Sequence, residues 1–196
     1  AAQQFVEDAE RRGLVAITPS YDYHLDPGEH FAEMTSQHYR AILDKGANVI
    51  GCVGHSNGGD GLRYAILQDP KLAELMAETE SSIVFSGTIT AGMRNLSLRQ
   101  KIIFRLLGKL ADRDKFETET GKQHFTFCNQ PLPEGVAAYN FIQQGDLLAL
   151  PRFSLATNTG DVNIIVPGGG HFAGSGVSSQ VNHQYLHLLQ HGISSE

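Results

Sequence analysis

The sequence predicts an α/β fold: a mostly parallel sheet flanked by helices, with a small helical insertion ahead of the last two strands. Short apolar runs alternate with amphipathic stretches along most of the chain, an order that builds parallel sheets. The run Ala47 to Gly54 is almost continuously apolar, as strands covered on both faces are. Glycine and proline punctuate the changes of period.

The elements follow in order. Residues 2–12 have helical periodicity and stop at Gly13, a C-cap signal. Leu14 to Thr18 reads as a short strand ending at Pro19. After the Pro27-Gly28 loop, Glu29 to Lys45 reads as a helix with Gly46 just beyond it. The strand Ala47 to Gly54 leads into a helix, Gly58 to Gln68, stopped by Asp69-Pro70. Ser82 to Ser86 is a further strand, and residues 90–134 form a more charged, helical insertion. Val136 to Gln143 and Val162 to Val166 are the last strands, and Val177 to His191 is the closing helix. Residues 1–196 are expected to form one domain, with 90–134 as a cap within it.

Composition narrows the function. The 196 residues are 41% hydrophobic and 18% charged, ordinary values for a soluble globular chain. A net charge of −6 argues against a nucleic-acid partner, because a phosphate backbone calls for basic residues in bulk. No apolar run reaches the roughly 20 residues that span a bilayer. Cys52 and Cys128 are too few for a disulfide framework and read as unlinked core thiols. The first residues, Ala1-Ala2-Gln3-Gln4-Phe5, hold no basic segment or apolar signal core. They leave the compartment open, with the cytoplasm as the default expectation.

Gly54-His55-Ser56-Asn57-Gly58 is a G-x-S-x-G sequence lying between a predicted strand and a predicted helix, the setting of a nucleophile elbow. A serine on so sharp a turn needs neighbours without bulk, hence the glycines. The helix N-terminus behind it favours developing negative charge, and the Asn57 N–H is the expected oxyanion donor. By itself G-x-S-x-G is a weak pattern, and a glycine-rich turn can cradle a phosphate instead. The dinucleotide fingerprint and the P-loop are both missing, however, and no tyrosine is followed four residues later by lysine.

A serine hydroxyl needs a base, and the base needs an orienting acid. Of nine histidines, His171 follows a strand through Pro167-Gly168-Gly169-Gly170, a loop able to carry an imidazole to another strand's turn. Asp146 follows the preceding strand in Gln143-Gln144-Gly145-Asp146, on the same sheet edge. Asp161 is the rival acid, but it starts a strand and so falls on the opposite edge.

The sequence resembles the α/β-hydrolase superfamily in three ordered segments: Val49–Gly59 for the elbow, Phe141–Pro151 for the acid turn and Ile164–Phe172 for the histidine loop. The resemblance implies a hydrolase working through an acyl-enzyme, most often on carboxylic esters, with Ser56, Asp146 and His171 as its catalytic residues. No cofactor or metal is implied. It also implies strands ahead of the first helix, and a second oxyanion donor from a loop after the third of them. Residue 1 falls in the helix after that loop, so the sequence is expected to be a fragment of a longer chain or to fold with a reduced sheet.

Leu96 to Leu110 is a basic amphipathic stretch within the insertion. As a lid over an ester site it would favour a lipophilic acyl or ester substrate; a membrane-surface helix is the other reading of the same pattern. His183, His187 and His191 recur every four residues; without a nearby carboxylate or cysteine they read as a solvated helix face. The expected activity is therefore serine esterase or lipase-like chemistry. Acyltransferase, thioesterase and peptidase activities differ only in leaving group and acceptor, and a non-catalytic binding protein on the same fold is the alternative from another class. Nothing in the sequence specifies an oligomeric state.

Overall fold

Four parallel strands form the centre of the fold, in the order β1 (Gly51–His55), β2 (Ser82–Ser86), β3 (Ala137–Gln143) and β4 (Val162–Val166). A computed structural model describes residues 2–19, 29–88, 102, 127–147, 149 and 160–193. The ladder is in register from Gly51 opposite Ser82 to Gln143 opposite Val166. Every strand therefore ends on the same edge, which carries Ser56, Gly87, Asp146 and the loop leading to His171.

Alternate residues of β2 supply the two halves of the core. Ile83 and Phe85 face Tyr39 of α2 (Glu29–Leu43), Leu62 and Ile66 of α3 (Asn57–Gln68), and Leu72 and Met76 of α4 (Pro70–Glu78). Val84 faces Tyr185, Leu188 and Leu189 of α5 (Ser179–His191), joined by Phe5 of α1 (Ala2–Glu10). The result is a sheet between two helical layers. Among the described residues no helix is long and apolar enough to cross a membrane.

Two sequence expectations change. Leu14 to Thr18 forms no strand; it pairs with none of the four described strands, and Val15 and Ile17 are 89% and 55% exposed. Apolar, β-branched residues favour extended backbone, but a strand also needs a neighbour to take its hydrogen bonds. Asp69-Pro70, expected only to stop a helix, also starts one. Oδ1 of Asp69 accepts from the N–H groups of Lys71 and Leu72, and Pro70 occupies the first helical turn, where its missing N–H costs nothing. The resulting helix α4 buries Leu72, Ala73 and Met76. Of the expected insertion 90–134, only Ile102 and residues 127–134 lie within the described residues, so the cap and its Leu96–Leu110 stretch lie outside them.

Helix α1 is held to α5 through one buried carboxylate. Asp8 accepts from Ser179 Oγ at 3.1 Å and Asn182 Nδ2 at 2.8 Å, with Arg11 at 2.9 Å on its solvent side. Burial alone would raise its pKa; the hydrogen bonds from Asn182, Ser179 and Gln4, with the Arg11 charge, outweigh that and lower it.

The cap at Asp69 is open to measurement. Asp69 also accepts from Ser36 Oγ at 2.8 Å and pairs with a partly exposed Arg40 at 3.0 Å. Asp69→Ala is expected to lower unfolding stability by about 1–2 kcal/mol in urea titration. Asp69→Asn keeps the cap oxygen but loses the solvent-screened Arg40 ion pair and the bond accepted from Ser36 Oγ, so it should cost less than Asp69→Ala, about 1 kcal/mol.

Candidate active site

The end of β1 meets the start of α3 with no room to spare. A Cβ on Gly54 would stand 2.6 Å from the Cα of Gly59, and one on Gly59 would stand 2.1 Å from Thr88 Oγ1. The tight pair is thus 54 and 59, one residue further on than the G-x-S-x-G spacing suggests. Between them Ser56 adopts φ 53°, ψ −129°, a region that costs a side-chain-bearing residue on the order of 1–3 kcal/mol. Its N–H bonds to the Ser86 carbonyl of the neighbouring strand at 2.9 Å, and its own carbonyl accepts from Gly59 N–H at 2.9 Å. Asn57 opens α3. Being in the first turn, its N–H has no carbonyl earlier in the helix to bond to.

The structure brings Ser56, His171 and Asp146 together. Ser56 Oγ lies 3.0 Å from His171 Nε2, and His171 Nδ1 lies 2.8 Å from Asp146 Oδ2. A carboxylate only accepts, so Nδ1 carries the imidazole proton and Nε2 presents its lone pair to the serine hydroxyl. The other Asp146 oxygen accepts the Ala149 N–H at 2.8 Å. Both partners are well covered, His171 at 11% and Asp146 at 2% side-chain exposure. His171 begins a short 3-10 turn, His171–Gly174, that turns the chain from β4 toward α5.

Asp161 sits on the other edge, as expected, and is engaged there. Its carboxylate takes Arg63 Nη1 at 2.6 Å and Asn140 Nδ2 at 2.9 Å, and both members of the ion pair are buried. Arg63 also donates to the carbonyls of Cys128 and Gln130. These bonds fasten α3, and with it the elbow, to β3, to the start of β4 and to the segment before β3. Cys52 and Cys128 are free thiols, and burial raises the pKa of both, Cys52 to about 11. His183, His187 and His191 line an exposed face of α5; His183 accepts from Arg12, and the other two rings lie 5.0 Å apart. Among the described residues no group of three or more His, Cys, Asp or Glu is placed to hold a metal. A groove of about 360 Å³ lined by Glu33, Arg40, Tyr64 and Asp69 lies between α2 and α3, and none of Ser56, Asp146 or His171 lines it.

Sequence reasoning missed two residues beside the serine. Gly87, directly after β2, has φ +56°, and a Cβ there would lie 3.2 Å from Asp146 Oδ2 and 3.3 Å from His171 Nδ1. A glycine closing a strand next to the elbow was the available signal. His55 is the other. Its Nε2 lies 2.7 Å from the His171 carbonyl, and the two rings are 4.8 Å apart. A carbonyl accepts, so His55 donates. Burial chiefly, then the neighbouring His171 charge, push its pKa down to about 4, against the opposing pull of that hydrogen bond and of Asp146.

Two outcomes are expected. Gly87→Ala forces a side chain into a positive-φ site and against the Asp146–His171 bond, so it should destabilise by about 1–3 kcal/mol in denaturant titration. For His55 the sign of the pH effect is fixed by its depressed pKa. Between the unfolded value of 6.5 and the folded value of about 4, the unfolded chain binds a proton that the folded chain refuses. Stability is thus intact above that window and is lost as pH falls through it, by an amount approaching about 3 kcal/mol. Unfolding measured from pH 7 to pH 4 should show this excess loss in the native chain relative to His55→Gln. Parallel curves would contradict it.

No family model and no curated protein matches the sequence. Solved structures do match. A pyrethroid hydrolase from Sphingobium faniae JZ-2 is similar over 97% of this chain and 92% of its own, with 11% identity and a TM-score of 0.56. The thioesterase RedJ of the prodiginine biosynthetic pathway in Streptomyces coelicolor is similar over 97% of this chain and 85% of its own, with 20% identity and a TM-score of 0.50. At such identities what is shared is the path of the backbone, in keeping with the parallel sheet and its helical layers. The chain has the α/β-hydrolase fold.

Proposed function

We propose that this chain is a serine hydrolase that cleaves carboxylic esters through an acyl-enzyme. The observation that carries the reading is the continuous hydrogen-bonded line from Ser56 Oγ through both nitrogens of His171 to Asp146. Ser56 Oγ adds to the ester carbonyl while its proton passes to His171 Nε2. Asp146 faces the imidazolium so formed and keeps the ring oriented. The Asn57 N–H donates to the oxyanion. Collapse breaks the carbon–oxygen ester bond, and the alcohol leaves with the proton from Nε2. Water then adds to the acyl carbon, yielding its proton to Nε2, and the carboxylic acid departs as Oγ recovers that proton.

Apolar surface beside the line favours a lipophilic small-molecule substrate. Phe172 is 66% exposed with its ring 5.7 Å from that of His171, and Leu147, next to Asp146, is 53% exposed. Residues 90–134 would roof the site as a cap, within one domain spanning 1–196. Thioester cleavage is the second reading. Its support is the similarity to RedJ, and it uses the same steps with a thiol as leaving group. Acyl transfer and peptide cleavage also share those steps and differ in acceptor or leaving group.

A fluorophosphonate probe tests the proposal. The native protein should be labelled, and Ser56→Ala should not. Well-folded protein that takes no label would leave a non-catalytic binding role on this fold. With an aryl ester, Asp146→Asn should lower kcat by about 10³–10⁴-fold. Asp161→Asn should instead lower stability by about 3–5 kcal/mol, by leaving Arg63 uncompensated, while the folded fraction keeps its kcat. The reverse ranking of the two aspartates would overturn the assignment of the acid.

A further inference from the structure

We propose that His55 is a positioning residue for His171, gripping the backbone of the histidine loop while Asp146 grips its ring. The inference rests on the reading of His171 as the base for Ser56. Three observations lead to it. His171 arrives on a glycine-rich stretch, Gly168-Gly169-Gly170, in which Gly168 and Gly169 have φ +72° and +71°. Such backbone has wide freedom, so the ring's place over Ser56 is not fixed by local conformation. The hydrogen bond from His55 Nε2 to the His171 carbonyl, at 2.7 Å, bridges 116 residues of sequence. It ties the loop to the last residue of β1, the residue that immediately precedes the nucleophile. Finally, the two rings lie against each other, with centroids 4.8 Å apart and planes tilted by 49°. The serine and its base thereby share one rigid support.

The identity of the residue follows from the task. The group must donate from the end of β1 to a carbonyl across the site, and it must stay uncharged while His171 becomes an imidazolium a few ångströms away. A lysine or arginine would donate but would oppose that charge. A buried imidazole that remains neutral donates without doing so. The charged and titratable groups acting on His55 are His171 and Asp146. Displacing a reacting group by an ångström can lower a rate about 100-fold, which sets the scale of the effect.

The test compares His55→Gln, whose amide can donate from nearly the position of Nε2, with His55→Asn, whose shorter side chain cannot reach, and His55→Leu, which has no donor. Two readouts separate this proposal from the one it rests on. In fluorophosphonate labelling and aryl-ester turnover, His55→Asn and His55→Leu should lose about 10–100-fold in labelling rate and kcat with little change in KM. His55→Gln should stay within a few-fold of the native protein. In proton NMR, the hydrogen-bonded Nδ1 proton of His171, assigned as the signal missing from His171→Gln, should persist in the native protein and His55→Gln. It should broaden or shift in His55→Asn and His55→Leu. That signal depends on the ring's placement and not on turnover, so it reads His55 even in a protein that takes no label. An unlabelled native protein with the NMR pattern intact would sink the hydrolase reading and leave the positioning role standing. Should His55→Leu fail to fold, the contrast of Asn with Gln decides. A His171 signal and a labelling rate unchanged in His55→Asn would overturn the proposal.

Discussion

The contact between Gly54 and Gly59 is the constraint on which the rest of the site depends. A strand and a helix that meet this closely leave four residues to reverse the chain, and Ser56 absorbs the reversal in its own backbone, at φ 53°. That conformation persists because its surroundings over-determine it. Ser86 holds the Ser56 N–H from the neighbouring strand, while α3 is buried along Leu62, Ala65 and Ile66. Arg63 ties the same helix to strands on the far side of the sheet. The strain at one residue is balanced by ordinary packing along twelve.

Parallel strands give the sheet two unlike edges, and its carboxylates divide accordingly. Asp161 precedes β4 and Asp146 follows β3, so the register that pairs Tyr139 with Val162 and Gln143 with Val166 puts them at opposite ends. Their company differs in kind. Asp161 faces a permanent cation that cannot leave, an arrangement suited to holding shape. Asp146 faces the imidazole of His171, which on the proposed reading takes up a proton and returns it within each turnover. The distinction lies wholly in the partners, since the two side chains are chemically the same.

Much of this was legible in the sequence. Four of the five expected strands form, and Ser56, Asp146 and His171 stand together on the edge to which each was assigned. These signals are local: an apolar run, a glycine cluster, an acid or a histidine just past a strand's end. What stayed hidden was either double in meaning or distant in origin. Asp69-Pro70 reads as a stop, yet an aspartate before a proline is also a cap, and both uses apply. Leu14 to Thr18 has strand composition, but strand formation is a property of pairs, which one segment cannot reveal. Arg63, Gly87 and His55 act on residues far away in sequence, 98 residues in the case of Arg63 and Asp161. No window along the chain contains both members of such a pair.

The carboxylate of Asp8 carries a consequence for how the molecule assembles. Its bonds to Ser179 and Asn182 span 171 and 174 residues. Contacts of such range lose much chain entropy before they return any energy. Helix α1, with nine residues, is too short to persist as an isolated helix in water. Its helical form therefore depends on the contacts it makes with α5. One buried acid and two neutral donors thus clasp together two segments that lie far apart along the chain.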